Sequence, residues 1–577
     1  MGAEKVVAVA RPALSRTGHW RIPCAGSSGP LLGAFGVAAL ALSCRGPLSD
    51  ACDEVGKCAP SMTGDASLEG SSEASACDPT KDPKDEPCVL DNAYGVFVAA
   101  PVGVDAGTDA GDSGAASADG TSSRPYATIG QALANLGKKT RVYVCAGLYG
   151  EQVHVTAAVS LYGGLSCAPG ASGRAWRYSG ASAHVLSPSP APALSVSDVA
   201  SGTVTIEDTW FASPDATAPG ASSIAALVAS SSVHLVRVAL TAGSGAPGAV
   251  GADGALTPNY AGSAPAGGPQ VWGYTSGLFG ATSGGTGGIN QCSHYGSSAG
   301  GHGGLGCGLG VGTAGSASPP APVTRAGSDG VPMGASVAGD AGALVIVLAN
   351  DPGADGVAGS AGAAAPPQTY GALSPSGWTP SAGGDGAPGS PGQGGAGATD
   401  PLNGQCGSAA QDIGGGGGGA GGCGGAGGQG GGGGGASVAL AGIDSAIDLT
   451  ACTLVTAGGG AGGAGGSGQD GQPGGIGGDD ATFSGMHVAG APGGDGAGGS
   501  GGAGGTGGIS AGVLESGALV TTDTATTLGT RIGAAGAGGA PGPGGRHGVG
   551  VLVTTGMDGN AGAPGSAGTS NALLKLK

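Results

Sequence analysis

Glycine stands at every third residue from Gly459 to Gly477, and the same register resumes from Gly490 to Gly508. The spacing returns from Gly533 to Gly548 and from Gly556 to Gly568, parted by Val549 to Thr555. A strict period of three suits an extended left-handed helix of three residues per turn, in which one bare edge lets another backbone approach. Two phased arms around a break read as a hairpin with almost no side chains. Each longer arm spans roughly 60 Å at the ~3.1 Å rise of that helix.

Three structures compete for such arms. A collagen triple helix wants abundant proline and long uninterrupted tracts. A glycine linker needs no phase. A bundle of polyglycine II helices needs the phase, because backbone hydrogen bonds and weak Cα–H···O contacts join neighbours only in register. Its chief opponent is the entropy lost on ordering glycine. The bundle is the expected outcome. Between Gly residues of the first long arm stand Ala461, Ala464, Ser467, Asp470, Pro473 and Ile476. Small residues there permit stacking, and polar ones mark an outer face. The tip between the arms gathers the large side chains Phe483, Met486 and His487, either as a plug over the bundle's end or as a recognition loop.

Composition narrows the partners. Of 577 residues 135 are glycine and only 3% are aromatic, so no single ordinary core can hold the whole chain. Formal charge is −18, and beyond residue 180 the basic residues are Arg237, Arg325, Arg531, Arg546, Lys575 and Lys577. No basic patch tracks phosphates, which argues against nucleic acid as a partner.

Arg11, Arg16 and Arg21 precede an apolar run from Leu31 to Leu42, the plan of an export signal. Leu40-Ala41-Leu42-Ser43-Cys44 resembles the lipobox of bacterial lipoproteins. That resemblance implies lipidation of Cys44, a membrane partner through the lipid, and, with Arg45 next, delivery to the outer membrane. Plain cleaved secretion is the alternative. Thirteen cysteines fit an oxidising compartment. Sequence neighbours suggest Cys52–Cys58, Cys77–Cys88, Cys145–Cys167, Cys292–Cys307 and Cys406–Cys423, leaving Cys452 single. There is no Cys-x-x-Cys pair, so neither metal nor cofactor is expected. Asp105, Asp109, Asp112 and Asp119 lack EF-hand spacing and read as a solvated loop.

Residues 45–92 read as an acidic tether after the signal segment 1–44. Thr128 and Gln131 form a capping box before a short helix carrying Ile129, Ala132, Leu133 and Leu136 on one face. Short β-branched runs follow, among them Val142–Val144, Val159–Tyr162, Val204–Ile206, Val233–Val238 and Leu344–Leu348. Ser223–Gly243 and Ser437–Gly458 match as a repeat of about 21 residues that ends each time in Thr-Ala-Gly, as stacked solenoid coils do.

Arg124-Pro125-Tyr126-Ala127-Thr128-Ile129, Val142-Tyr143-Val144-Cys145-Ala146-Gly147-Leu148-Tyr149 and Val159-Ser160-Leu161-Tyr162-Gly163-Gly164 resemble the opening coils of pectin-lyase-like proteins. The whole layout is similar to glycine-rich, PGRS-like surface proteins of myxobacteria. The resemblance implies an all-β, right-handed parallel β-helix with an N-terminal capping helix. Glycine-rich polyglycine II hairpins would interrupt it. The helix would begin over 93–243. Glycine-rich insertions over 244–435 would hold one strand near 343–349, and coils with paired arms would fill 436–577. Enzymes of that family carry aspartates followed by His-Gly and Arg-Ile-Lys. Here Asp479-Asp480, Arg531-Ile532-Gly533 and His547-Gly548 are fragments in another order, and Glu207 and Asp208, as strand neighbours, should point to opposite faces. The expectation is a non-catalytic, lipid-anchored structural or adhesive surface element, with a carbohydrate-binding or carbohydrate-active β-helix as the alternative. Polysaccharide or another cell surface would be its partner.

Overall fold

The computed structural model describes residues 77–101, 118–170, 173–255, 262–269, 272–273, 284–293, 296–304, 316–317, 361–363, 369–398, 412–413, 415–478, 489–528, 531–550 and 556–576. Cys44, Cys52, Cys58, Cys307, Cys406, Phe483, Met486, His487 and the strand expected near 343–349 lie outside them.

The described chain is nearly all β, and its main sheets are parallel. Sheet A stacks Gly95–Val98, Arg141–Cys145, Ser160–Gly170, Val204–Glu207, Ser232–Val236, Ala446–Thr450 and Leu519–Thr522 in that order. Sheet B stacks Gly147–Tyr149, Ala183–Leu186, Thr209–Ser213, Ala239–Ala242 and Thr453–Thr456. Sheet C stacks Val153–Val155, Leu194–Ser197, Ser223–Ala229, Ser437–Ile443, Ser510–Ser516 and Ser570–Lys575. From Arg141 to Ser516 the main strands visit A, B and C in rotation, interrupted by the antiparallel strand Gly173–Tyr178 on sheet A, and each visit pairs with the one before. Alternation within these strands puts one set of side chains inside. Val142, Leu161, Ile206, Leu235 and Leu449 follow one another in register across sheet A, all buried. The 21-residue repeat is real in space, with Ser223 opposite Ser437 and Ala239 opposite Thr453.

Two of the three corners are tight and alike. Between A and B, Asp208, Arg237 and Ala451 take left-handed backbone angles, φ 50°, 54° and 52°. Between C and A, Asp198, Ser230, Asp444 and Gly517 do the same, φ 56°, 48°, 44° and 68°. A single left-handed residue reverses the chain sharply, and stacking satisfies its amide. Arg237 N–H donates to the Thr450 carbonyl at 2.8 Å and Ser230 N–H to Ile443 at 2.9 Å. The corner from B to C is where the glycine arms leave.

Three expectations need correction. Among the described residues no separate N-terminal capping helix is seen. The described α-helix is Ile129–Ala134, six residues that follow the edge strand of sheet A, with Thr128 Oγ1 and the Glu151 carboxylate accepting its first amides. The tether does not run to residue 92, because residues 77–92 are folded onto sheet A. Val89 is fully buried there and its carbonyl accepts from Tyr143 Oη, while the Cys77–Cys88 pair closes the segment. Finally, Cys292 pairs with Cys423, not with Cys307, and Cys423 not with Cys406. Cys145–Cys167 joins as expected.

Candidate functional surface

The glycine arms form a hydrogen-bonded array at the B-to-C corner. Outward arms cover 243–255, 457–478 and 533–550, and return arms cover 415–436, 489–509 and 556–569, giving three layers of paired arms. A helix with three residues per turn sends its amides in three directions, and the bonding has that period. From one arm to the next layer, Gly459, Gly462, Gly465, Gly468 and Gly471 donate to the carbonyls of Ala534, Ala537, Ala540, Pro543 and Arg546 at 2.8–2.9 Å. The adjoining row, Gly460, Gly463 and Gly466, donates instead to Gly435, Gly432 and Gln429 of the first layer. Outward arms run parallel to one another and antiparallel to return arms, because each leaves between a strand of sheet B and the next strand of sheet C.

The return arm 489–509 is the centre. Gly501, Gly502 and Ala503, one turn of it, donate to three different arms, at Asn560, Gly466 and Gly384. With neighbours on all sides only small side chains fit. Ala491, Ala497, Ser500, Ala503 and Thr506 are all buried. On the outward arm 457–478 the matching residues face outward, Ala461 and Asp470 among them, with Ile476 43% exposed. A Cβ on Gly462, Gly465 or Gly468 would overlap the carbonyl oxygens of Gly505, Gly502 or Gly499, so these positions admit glycine alone. No proline occurs in the interior arm 415–436, whereas the central arm 489–509 carries Pro492 and the arm 381–398 carries a buried Pro391.

Side chains close the gaps that glycine leaves. Where an amide meets no arm, an aspartate accepts it. Ser467 N–H donates to Asp253, Gly430 to Asp385, Arg546 to Asp470 and His547 to Asp558, at 2.6–2.9 Å. These bonds hold the Asp253 and Asp558 carboxyls below the usual range. Inside, Asp495 is 3% exposed and accepts from Gly474 and Gly550. Around Cys423, Asn290 Nδ2 donates to Gln472 Oε1 at 2.8 Å, and Gln472 Nε2 donates to the Gly262 carbonyl at 3.0 Å. The Cys292–Cys423 pair follows from the array: Gly285 and Gly288 donate to Gly415 and Gly418, which lays residues 284–293 along the return arm.

Two other clusters lie on the sheets. Arg237 bonds Asp208 through Nε and Nη2, and Glu207 through Nη2, each at 2.8 Å. The strand alternation that should separate the carboxylates fails because Asp208 is the left-handed corner residue. Burial pushes the Glu207 carboxyl up to about 7, helped by Asp82 and opposed by Arg237. On the outer face of sheet B, Leu148, His184 and Trp210 follow in register. Leu148 is 65% exposed, and the His184 and Trp210 rings meet edge to face at 4.6 Å. Trp210 Nε1 donates to Thr241 at 2.9 Å. Sequence reasoning weighed Glu207 and Asp208 but placed them on opposite faces, and it passed over the sheet B cluster, whose members meet only when strands stack.

Of the residues singled out from sequence, Cys77, Cys88, Cys145, Cys167, Cys292 and Cys423 are placed in pairs. Cys77, Glu86 and Cys88 also lie within metal-binding reach, but both sulfurs are engaged with each other. Cys452 is buried and unpaired, and burial pushes its thiol up to about 11, away from reactivity. Comparison with protein-family models, with curated proteins and with solved structures finds no match to this chain.

Proposed function

We propose that this chain is an exported, lipid-anchored element of the cell envelope, structural or adhesive and not catalytic. In this reading the three sheets form one right-handed parallel β-helix, and the arms are polyglycine II helices projecting from it as a slab. The observation that carries the proposal is the closed backbone bonding of the array. It commits more than a hundred residues to a shape whose described interior is mostly glycine, alanine and other small side chains. Three cysteine pairs suit an oxidising compartment, and Cys44 in its lipobox-like setting supplies the anchor.

Labelling cells with a lipid precursor, together with protease treatment of intact cells, tests this reading. Label should enter the wild-type chain and not a Cys44→Ala chain, and protease should remove the array from outside. An unlabelled chain that protease reaches only after lysis would defeat it.

A second reading, carbohydrate binding, draws on Trp210 and His184 on the outer face of sheet B. Exposed aromatic rings stack on sugar faces, with polar edges to orient them. A polysaccharide screen with Trp210→Ala and with a deletion of Thr482 to Val488 separates the two. Loss of binding with the tryptophan favours the sheet, loss with the tip favours adhesion by the arms, and turnover products would require an enzyme.

A further inference from the structure

The third layer of the array differs from the first two at one row of residues, and the difference has a single chemical effect. In the first return arm, Gly425, Gly428, Gly431 and Gly434 donate onward to Ala497, Ser500, Ala503 and Thr506 of the second layer. In the second, Gly498, Gly501, Gly504 and Gly507 donate onward to Met557, Asn560, Ala563 and Ser566 of the third. Gly508 and Gly568 occupy the same place in their layers, since each donates to its own outward arm, at Gly460 and Gly536. Counting back from Gly568, the onward row of the third return arm is therefore Asp558, Ala561, Pro564 and Ala567. It contains no glycine, and all four residues are exposed.

A Cβ on Gly498, Gly501, Gly504 or Gly507 would overlap a carbonyl oxygen of the third layer. The third-layer side chains thus stand where a fourth layer's backbone would lie. Pro564 also removes an amide. On the outward arm the matching row is Ala535, Gly538, Pro541, Gly544 and His547, so glycine is lost at three of its five places. Gly463 and Gly539 hold matching places, donating to Gly432 and Gly505, so Pro541 answers to Gly465 and His547 to Gly471. Gly465 and Gly471 donate onward, whereas Pro541 has no N–H and the His547 amide is taken by Asp558 at 2.9 Å.

We propose that this row is a terminating edge, which keeps a second copy of the chain from adding its glycine arms to the array. An array of bare backbone with a free row of donors and acceptors is a template for more of itself, as an open sheet edge is. The occupant excluded is another glycine-triplet arm, because nothing bulkier matches the spacing. Proline, a charge and added Cβ atoms are the devices by which such edges are blunted.

The test compares the full wild-type chain with a variant carrying Pro541→Gly, Asp558→Gly, Ala561→Gly, Pro564→Gly and Ala567→Gly. Sedimentation velocity reads mass against concentration, and amide exchange reads positions 561, 564 and 567. Wild type should keep one mass throughout. The variant's mean mass should at least double as concentration rises, with the new amides becoming protected. A milder Pro541→Ala, Pro564→Ala chain restores two donors without adding glycine and should associate more weakly; it decides the matter if the first variant loses its array. A variant that keeps array protection yet stays at wild-type mass overturns the proposal, as does a wild type that already associates with protection at Ala561 and Ala567.

Discussion

Arg237 and Asp208, corner residues that follow successive strands of sheet A, are joined by two parallel 2.8 Å bonds, and both hold left-handed backbone angles that non-glycine side chains rarely adopt. Stacking explains the pairing. A left-handed residue at each corner puts its side chain over the corner below, so opposite charges in successive corners face each other. The two carboxylates served by Arg237 are about nine-tenths buried.

Arg237→Ala strands both carboxylates and should lower stability by about 3 kcal/mol, the scale of removing one partner from a buried pair. Arg237→Lys should recover little, because one ammonium cannot replace the fork geometry. Denaturant unfolding of the full chain, followed by a signal from sheet A, measures both. Equal stability of wild type and Arg237→Ala would mean that the stacked corners owe nothing to this pair.

Glu207 makes the same cluster sensitive to pH. Its folded value, about 7, lies above the ordinary 4.5 because burial and Asp82 disfavour its charge, while Arg237 and the adjacent Asp208 act in opposite directions on it. As pH rises between these values the unfolded chain gives up the proton first. Stability from this group is therefore present below about 4.5, falls across the window and stays lost above about 7. Glu207→Gln cannot titrate, so its melting temperature relative to wild type should climb from pH 5 to about 7 and level off above that. A difference that is flat or descending below about pH 7 would contradict the assigned environment.

Much of the scaffold is legible in the chain because period reports packing. The phase of Gly459 to Gly477 tells that backbones touch, and the match of Ser223–Gly243 to Ser437–Gly458 tells which strands stack. Cys145 and Cys167 could be paired for the same reason, being one coil apart. What escapes is whatever depends on lateral order in the array. Cys292 finds Cys423 across 131 residues because residues 284–293 lie beside a return arm, which no sequence distance encodes. Proline gives no signal for arm position, since Pro492 stands in the central arm 489–509. Residues 77–92 were hidden by their acidity, although Val89 and Leu90 in that stretch gave the apolar foothold by which it lies on sheet A. Glu207 and Asp208 were misjudged because the alternation of strand faces was carried past the end of the strand.

Alanine at Gly462, Gly465 and Gly468 should force apart the outward and return arms of the second layer. Each added Cβ overlaps a carbonyl oxygen of the central arm, and overpacking costs typically about 1–3 kcal/mol per site. Alanine at Ser467, whose side chain faces outward on the same arm, should be nearly silent. Amide exchange localises the outcome. Protection should fall at Gly502, Gly505 and Gly539 in the triple variant and stay unchanged in Ser467→Ala. Exchange already at unprotected rates in the wild-type arms would mean that the array does not hold in solution.

Non-reducing peptide mapping should recover Cys292 linked to Cys423. The pair spans 131 residues, and closing a loop of that length stabilises by about 5 kcal/mol in the chain-entropy account. That gain belongs to the array and not to the stacked sheets, because both cysteines sit among the arms. Replacing Cys423 with serine should therefore loosen exchange along residues 284–293 and 415–428 while sheet A melts as before. Serine also keeps a small side chain beside Asn290 and Gln472, so any loosening reports the lost cross-link and not a cavity. Recovery of Cys292 joined to Cys307 instead would place residues 284–293 away from the return arm and undo the lateral order assigned to it.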